Sequence, residues 1–270
     1  MFIRTRDWLR PLIQINLLLC LTIYGAFFDI HAFVYEMLKN ACISISELSV
    51  KTRLIISFSR PFVLAFLIWV LWKMIRASNK TAILNSGKYY HDHFYISYWV
   101  CRWILGYSSC NLARMPIYMQ FKLVLNDLFP VFIYNEGIQE SGDTDTIIVT
   151  APQAITNTVN LVIMDTYDIY DNQLPDSVVS LSTIRIERLP KTNVRYHSNA
   201  LIMKTTEVVR NLPHNVVRIN IFATTNPWNT YDLAKQVINT GGRDTIKEIF
   251  VFQQNPRNPK RFSEDKKRII

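Results

Sequence analysis

Three aspartates recur at every third position in MDTYDIYDN: Asp165, Asp168 and Asp171. Carboxylates gathered along one short stretch could hold a divalent cation or exchange protons with a substrate. No glycine turn and no distal glutamate follow at the spacing of a calcium loop, so the three read as exposed loop acids. A second group, His91, Asp92, His93, Cys101 and Cys110, holds zinc-type donors. Zinc sites favour two tight ligand pairs, and these cysteines stand too far apart to form one. His197 and His214 have no acid or nucleophile at a telling offset. G-x-S-x-G, the Walker lysine loop, H-E-x-x-H and C-x-x-C are all absent. The expectation is a protein that is not an enzyme and uses no cofactor and no metal.

One stretch suggests ligand binding instead. RINIFATTNPWNTYDLAKQV passes from a strand through Asn226, Pro227, Trp228, Asn229 and Thr230 into a short helix that ends at Gly241-Gly242. Asn229 or Thr230 suits the N-cap and Gly241 the C′ position, which makes a β-α-β unit. The glycine pair follows the helix, whereas a phosphate loop precedes one. Only 7 glycines occur in the chain, which weighs against glycine-rich nucleotide loops. If the segment walls a pocket, Asn226, Trp228, Asn229 and Thr230 line it.

The elements that position these residues fall into two parts. Residues 1–110 read as a membrane anchor region. An apolar stretch near 12–28 follows Arg4, Arg6 and Arg10, and a stronger one near 54–76 ends in Trp69, Trp72, Lys73 and Arg76. An apolar body, then indoles, then cations is the order of a helix leaving a bilayer. A third stretch, near 91–108, is aromatic and either lies in the interface or makes a further span. Gln14, Asn16, Arg60 and Arg102 are polar residues within these segments. Such residues hydrogen-bond to neighbouring helices or mark an ion path, which implies a homo-oligomer in the lipid bilayer. The basic flanks place both termini on the cytoplasmic (or virion-internal) side.

Residues 116–254 change character. Ile117, Met119, Phe121, Leu123 and Leu125 alternate with Tyr118, Gln120, Lys122 and Val124, as in a half-buried strand. Further runs at 131–134, 146–150, 159–165, 178–189, 194–205, 216–223 and 246–252 bring the total to eight strands. With turn residues between them, they predict an antiparallel sandwich-like domain carrying one helix near its end. All four cysteines precede residue 111, which suits a domain facing a reducing compartment. The last stretch, 255–270, is rich in proline and charge and reads as a disordered tail. Its Arg257, Lys260, Arg261, Lys266, Lys267 and Arg268, within a net charge of +9, suit an RNA or an acidic protein partner.

This layout of N-terminal helices, a hinge and an internal β-domain resembles the membrane (M) protein of coronaviruses and the related accessory membrane protein. The resemblance is one of architecture and carries over no functional residue. It implies an internal β-sandwich and a structural role in oligomeric assembly at a membrane. The alternative is a membrane-anchored effector or channel, of the kind found in bacterial cyclic-nucleotide defence, whose C-terminal domain senses a nucleotide. A sandwich favours assembly; a central parallel sheet with a basic cleft favours sensing.

Overall fold

The computed structural model describes residues 8–27, 50–140, 145–191, 195–239, 245–255 and 258–270. Two compact units divide the chain, Met1–Ile83 with Trp99–Ser108, and Leu84–Tyr98 with Ser109–Ile270.

The first unit holds α1 (Leu9–Phe27) and α2 (Val50–Asn79). Helix α2 starts earlier than the apolar run suggested and continues through Arg60 and Pro61. Within it, Phe62–Asn79 is long and apolar enough to cross a bilayer, and Leu9–Gly25 is a shorter apolar helix. The two run antiparallel and meet at both ends. Gln14 Nε2 donates to Asn79 Oδ1 at 3.0 Å, and Asn79 Nδ2 donates back to Gln14 Oε1 at 2.8 Å. Toward the other end, a Cβ on Gly25 would come within 2.1 Å of Leu64 Cδ1, so the glycine sets the closeness of the helices there. Helix α3 (Tyr95–Trp103) has nine residues, too few for the third span that the aromatic stretch allowed. The unit boundary falls inside it.

Strand β1 (Ile83–Leu84) straddles the unit boundary; in the second unit, β2 (Ser109–Asn111) and β3 (Val131–Ile133) are short and pair in parallel. Between β2 and β3 lies α4 (Ile117–Leu125), in place of the expected strand. Its sequence is apolar enough to read at either period, and Met119, Gln120, Phe121, Leu123 and Val124 are buried at helical spacing. Strand β4 (Gln139–Glu140) pairs with β8 (Tyr196–His197).

The main sheet has six strands in the order β11-β10-β9-β6-β7-β5. They are β5 (Thr146–Thr150), β6 (Thr158–Met164), β7 (Ser182–Leu189), β9 (Arg218–Ala223), β10 (Glu248–Asn255) and β11 (Asn258–Arg268). The inner four are parallel; β5 and β11 are antiparallel edges. This replaces the expected antiparallel sandwich with a mixed α/β sheet. The reason lies in the strands themselves: β6 and β9 are near-continuous apolar runs, as strands buried on both faces must be. On one face Val162, Met164, Phe222, Phe250 and Phe252 join Ile169, Leu174, Val178 and Phe262 in a single core. Leu161, Ile163, Ile221, Ile249 and Val251, in the alternate positions, are buried on the other face.

Parallel strands need crossovers, and the expected strand at 194–205 turns out to be one. It contains only β8 and then α5 (Asn199–Arg210). Ser198 is the N-cap, its Oγ accepting from Leu201 N at 3.3 Å, and Leu201, Ile202, Thr205 and Val209 form the buried stripe. The second crossover is α6 (Pro227–Asp232), continued by a π-helical turn over Leu233–Asn239. Its N-cap is Asn226, earlier than the sequence suggested, with Pro227 at the first turn.

In the middle of the sheet two buried amides face each other across the β6–β9 ladder. Asn220 Nδ2 donates to Asn160 Oδ1 at 3.0 Å, and Asn160 Nδ2 donates to Val178 O at 2.8 Å.

The basic tail is ordered where described. Residues 258–268 form β11, held by Phe262, which is 3% exposed and packs edge-on against Phe222 with centroids 5.1 Å apart. Glu264 accepts from Asp176 N and Ser177 Oγ. These apolar and polar anchors outweigh the composition that suggested disorder.

Candidate ligand-binding cleft

Strand order decides where a ligand can reach this sheet. The chain crosses from β6 to β7 on one side and from β9 to β10 on the other, so the order reverses between β6 and β9. In open α/β sheets, ligands bind outside the carboxyl ends of the strands at such a reversal. Asp165 follows β6 there, and Thr224, Thr225 and Asn226 follow β9.

Asp165 is 0% exposed, not a loop acid at the surface. Arg188 Nε donates to its Oδ1 at 2.7 Å. Asn229 Nδ2 and Asn226 Nδ2 donate to Oδ2 at 2.8 and 3.2 Å. Both amides also donate to Tyr196 O, and Asn226 Oδ1 accepts from Asn229 N. Thr224 Oγ1 donates to Tyr167 O. The buried carboxylate thereby ties the ends of β6, β7, β8 and β9 to the start of α6. Of the other two acids in the triplet, Asp171 pairs with Arg185 and Asp168 with Lys191. Burial pushes the Lys191 ammonium pKa below its usual value.

Beside this frame lies a cavity of about 350 Å³. Its walls include Arg114, Gln120, Tyr167, Arg195, Thr225 and Gln254, with Arg114 and Arg195 both exposed. Among the described residues, two guanidiniums and no carboxylate line it. Arg114 adopts φ +58, unusual for a residue with a side chain, and is held by His91 N donating to its carbonyl at 2.7 Å. Its Nη1 donates to Gly87 O. Tyr167 Oη donates to Gln254 Oε1 at 2.6 Å, and burial raises the phenol above its ordinary pKa.

The four residues proposed from sequence as a pocket wall divide. Asn226, Asn229 and Thr230 are at most 2% exposed and committed to internal hydrogen bonds; Asn226 also borders the cavity. Trp228 stacks on His197 with ring centroids 4.4 Å apart, and His197 Nε2 lies 2.7 Å from Asp232 Oδ2. Thus His197 has an acid partner after all, 35 residues downstream. The membrane-segment residues belong to the first unit. Gln14 is paired with Asn79, and Asn16 is exposed. Arg102 sits over Trp103 and donates to Tyr107 O. The side chain of Arg60 lies outside the described residues. In the tail, Arg257 and the side chain of Lys260 also lie outside them. Arg261 pairs with Asp176, Lys267 with Asp265, and Lys266 sits over the Phe250 ring, while Arg268 approaches Glu248 at 3.6 Å.

Sequence reasoning missed Arg114, Arg188 and Arg195. Arg188 left a signal: in STIRIERL it occupies the same face as Ile184 and Ile186, a charge on the buried face of an alternating strand. Arg114 and Arg195 sit in loops and left none.

The model of the family described as "SMODS- and Ubiquitin system-associated 2TM effector domain" matches residues 1–270. No curated protein matches the chain. Two solved structures of the Acinetobacter baumannii Cap4 SAVED/CARF-domain containing receptor are similar in fold. The complex with the cyclic trinucleotide 3'3'3'-cAAA shares 11% identity at a TM-score of 0.42 and covers 59% of this chain. The complex with 2'3'3'-cAAA shares 9% at 0.44 and covers 63%. The chain spans 38% and 40% of those receptors. The family match overturns the resemblance to coronavirus membrane proteins, and with it the structural-protein reading. That resemblance rested on an internal sandwich, which the parallel sheet replaces.

Proposed function

The chain belongs to the family of SMODS- and ubiquitin system-associated 2TM effector domains, and from that premise we propose that it is a membrane-anchored, non-catalytic effector whose second unit senses a cyclic nucleotide. One observation carries the reading: among the described residues, the cavity at the reversal point of the sheet presents two arginines and no carboxylate. That is the electrostatics a phosphodiester needs, and guanidinium contacts to phosphate are charge-assisted. The helices anchor the sensor, both termini face the cytoplasm, and copies associate through the membrane helices.

The test is calorimetric titration of the detergent-solubilised full chain with cyclic mono-, di- and trinucleotides. Binding that weakens at least about tenfold in Arg114→Ala and Arg195→Ala supports the reading, since a charged hydrogen bond contributes about 1.5–3 kcal/mol. No binding, or binding indifferent to both substitutions, overturns it.

A further inference from the structure

The end of α2 and the segment Trp99–Ser108 belong to one unit and are clasped together. The carbonyls of Trp103, Ile104 and Leu105, left open where α3 ends, accept from Arg76 Nη1, Trp72 Nε1 and Asn79 Nδ2. Ser108 Oγ donates to Lys80 O at 2.6 Å. Gly106 allows the approach: its φ is +81, and a Cβ there would lie 3.1 Å from Arg76 Cα. The start of α1 joins the same corner, because Arg10 Nη2 donates to Ser78 O and Oγ at 2.8 Å.

The surface of this corner is aromatic and of one charge. Trp69 and Trp103 are 51% and 53% exposed. Trp99, one helical turn before Trp103, is exposed as well, and so is Ile104. Arg10, Lys73, Arg76, Lys80 and Arg102 stand on the corner, and among the described residues of the unit there is no aspartate or glutamate. No ion pair can therefore form within it. Lys73 sits over the Trp69 and Trp72 rings instead, Arg76 over Trp72 and Arg102 over Trp103. Each guanidinium spends one nitrogen on the protein and keeps further N–H donors. Like charges gathered without a counter-ion repel one another, and an anionic partner removes that cost. Trp69 also lies in Phe62–Asn79, the segment able to cross a bilayer, so the charged corner continues a lipid-facing surface.

We propose that this corner binds anionic phospholipid in the leaflet where α2 ends. The indoles of Trp69, Trp99 and Trp103 lie at headgroup level, where the aromatic rings of membrane proteins collect. The five cations take up the phosphates of the surrounding lipids. The proposal concerns the anchor alone and stands whether or not the second unit binds a nucleotide.

The test reconstitutes the full chain in vesicles of phosphatidylcholine with a minor share of phosphatidylglycerol, carrying bromine on the upper acyl chain of one lipid or the other. Bromine quenches indoles that it touches. Of the 6 tryptophans, Trp69, Trp72, Trp99 and Trp103 stand at the corner and dominate the signal. Mole for mole, brominated phosphatidylglycerol should quench about fivefold more strongly than brominated phosphatidylcholine, the local enrichment that even one basic residue at an anionic surface produces. Lys73→Gln with Lys80→Gln should lower that ratio by at least about half. Neither Nζ takes part in the clasp, so the corner keeps its shape. Concentrated sodium chloride should lower the ratio in the native chain, since exposed charges are screened, and decides the matter if the double variant does not fold. Equal quenching by the two lipids overturns the proposal, as does a ratio that neither salt nor the variant changes. A ratio abolished by inorganic phosphate at constant ionic strength reveals a site for free phosphate and overturns it too. All of these outcomes leave the sensor reading standing.

Discussion

Arg188 and Asp165 form an ion pair at 2.7 Å in which neither residue is more than 1% exposed. Asp145 stands 3.5 Å from the same guanidinium. Removing one member of a buried pair leaves the other charge unsolvated, at a cost of about 3–5 kcal/mol. Asp165→Ala should therefore lose about that much in urea unfolding. Asp165→Asn, which keeps a hydrogen-bonding side chain of the same shape, should lose less. A loss under about 1 kcal/mol for Asp165→Ala would show that the pair does not hold the strand ends together.

The tail offers a second check. Phe262 meets Phe222, which itself stacks on Phe252 at 4.6 Å. Phe262→Ala should destabilise the second unit by about 3–5 kcal/mol, in the range of large-to-small core substitutions. A disordered tail would show no change in the unfolding midpoint.

Tyr167 sets an alkaline limit. Burial raises its phenol pKa in the folded chain above the unfolded value of about 10. Folding therefore favours the neutral form. This contribution is complete below the unfolded value and is lost as pH climbs through it toward the folded one. Between pH 7 and 9 the phenol stays neutral and ligand affinity should be flat with respect to it. From pH 9.5 to 11 the urea midpoint of the native chain should fall more steeply than that of Tyr167→Phe. Parallel slopes would remove this phenol from the account.

In the first unit, the exchange of two hydrogen bonds between Gln14 and Asn79 predicts strong coupling. Gln14→Leu and Asn79→Leu should each cost about 1 kcal/mol in detergent, and the double variant should cost less than their sum. Strict additivity would mean that the amides do not act as a pair.

The N-terminal helices were legible from their apolar stretches, and most of the inner strands from their β-branched and aromatic runs. What was not legible has identifiable causes. Ile117–Leu125 satisfies both periods, and its helix is capped by Gln253, 136 residues away. The 194–205 segment hid a helix whose start is fixed by the Ser198 cap. Parallel pairing cannot be read from a strand alone, because the partner arrives only after a crossover. The cleft was half legible. The segment from Asn226 to Thr230 drew notice, yet three of those four residues build the frame. The cations facing the cavity come from distant loops that the fold brings together.

The amide pair at the centre of the sheet works as a registration mark. Asn160 and Asn220 can satisfy each other only when β6 and β9 are aligned as they are. A slip by one residue would set each amide against an isoleucine, a leucine or a valine and bury its polar atoms unpaired. The aliphatic side chains around them are nearly interchangeable in shape and would tolerate several alignments. The two asparagines reject all but one, and so fix the strand ends that form the cleft relative to one another.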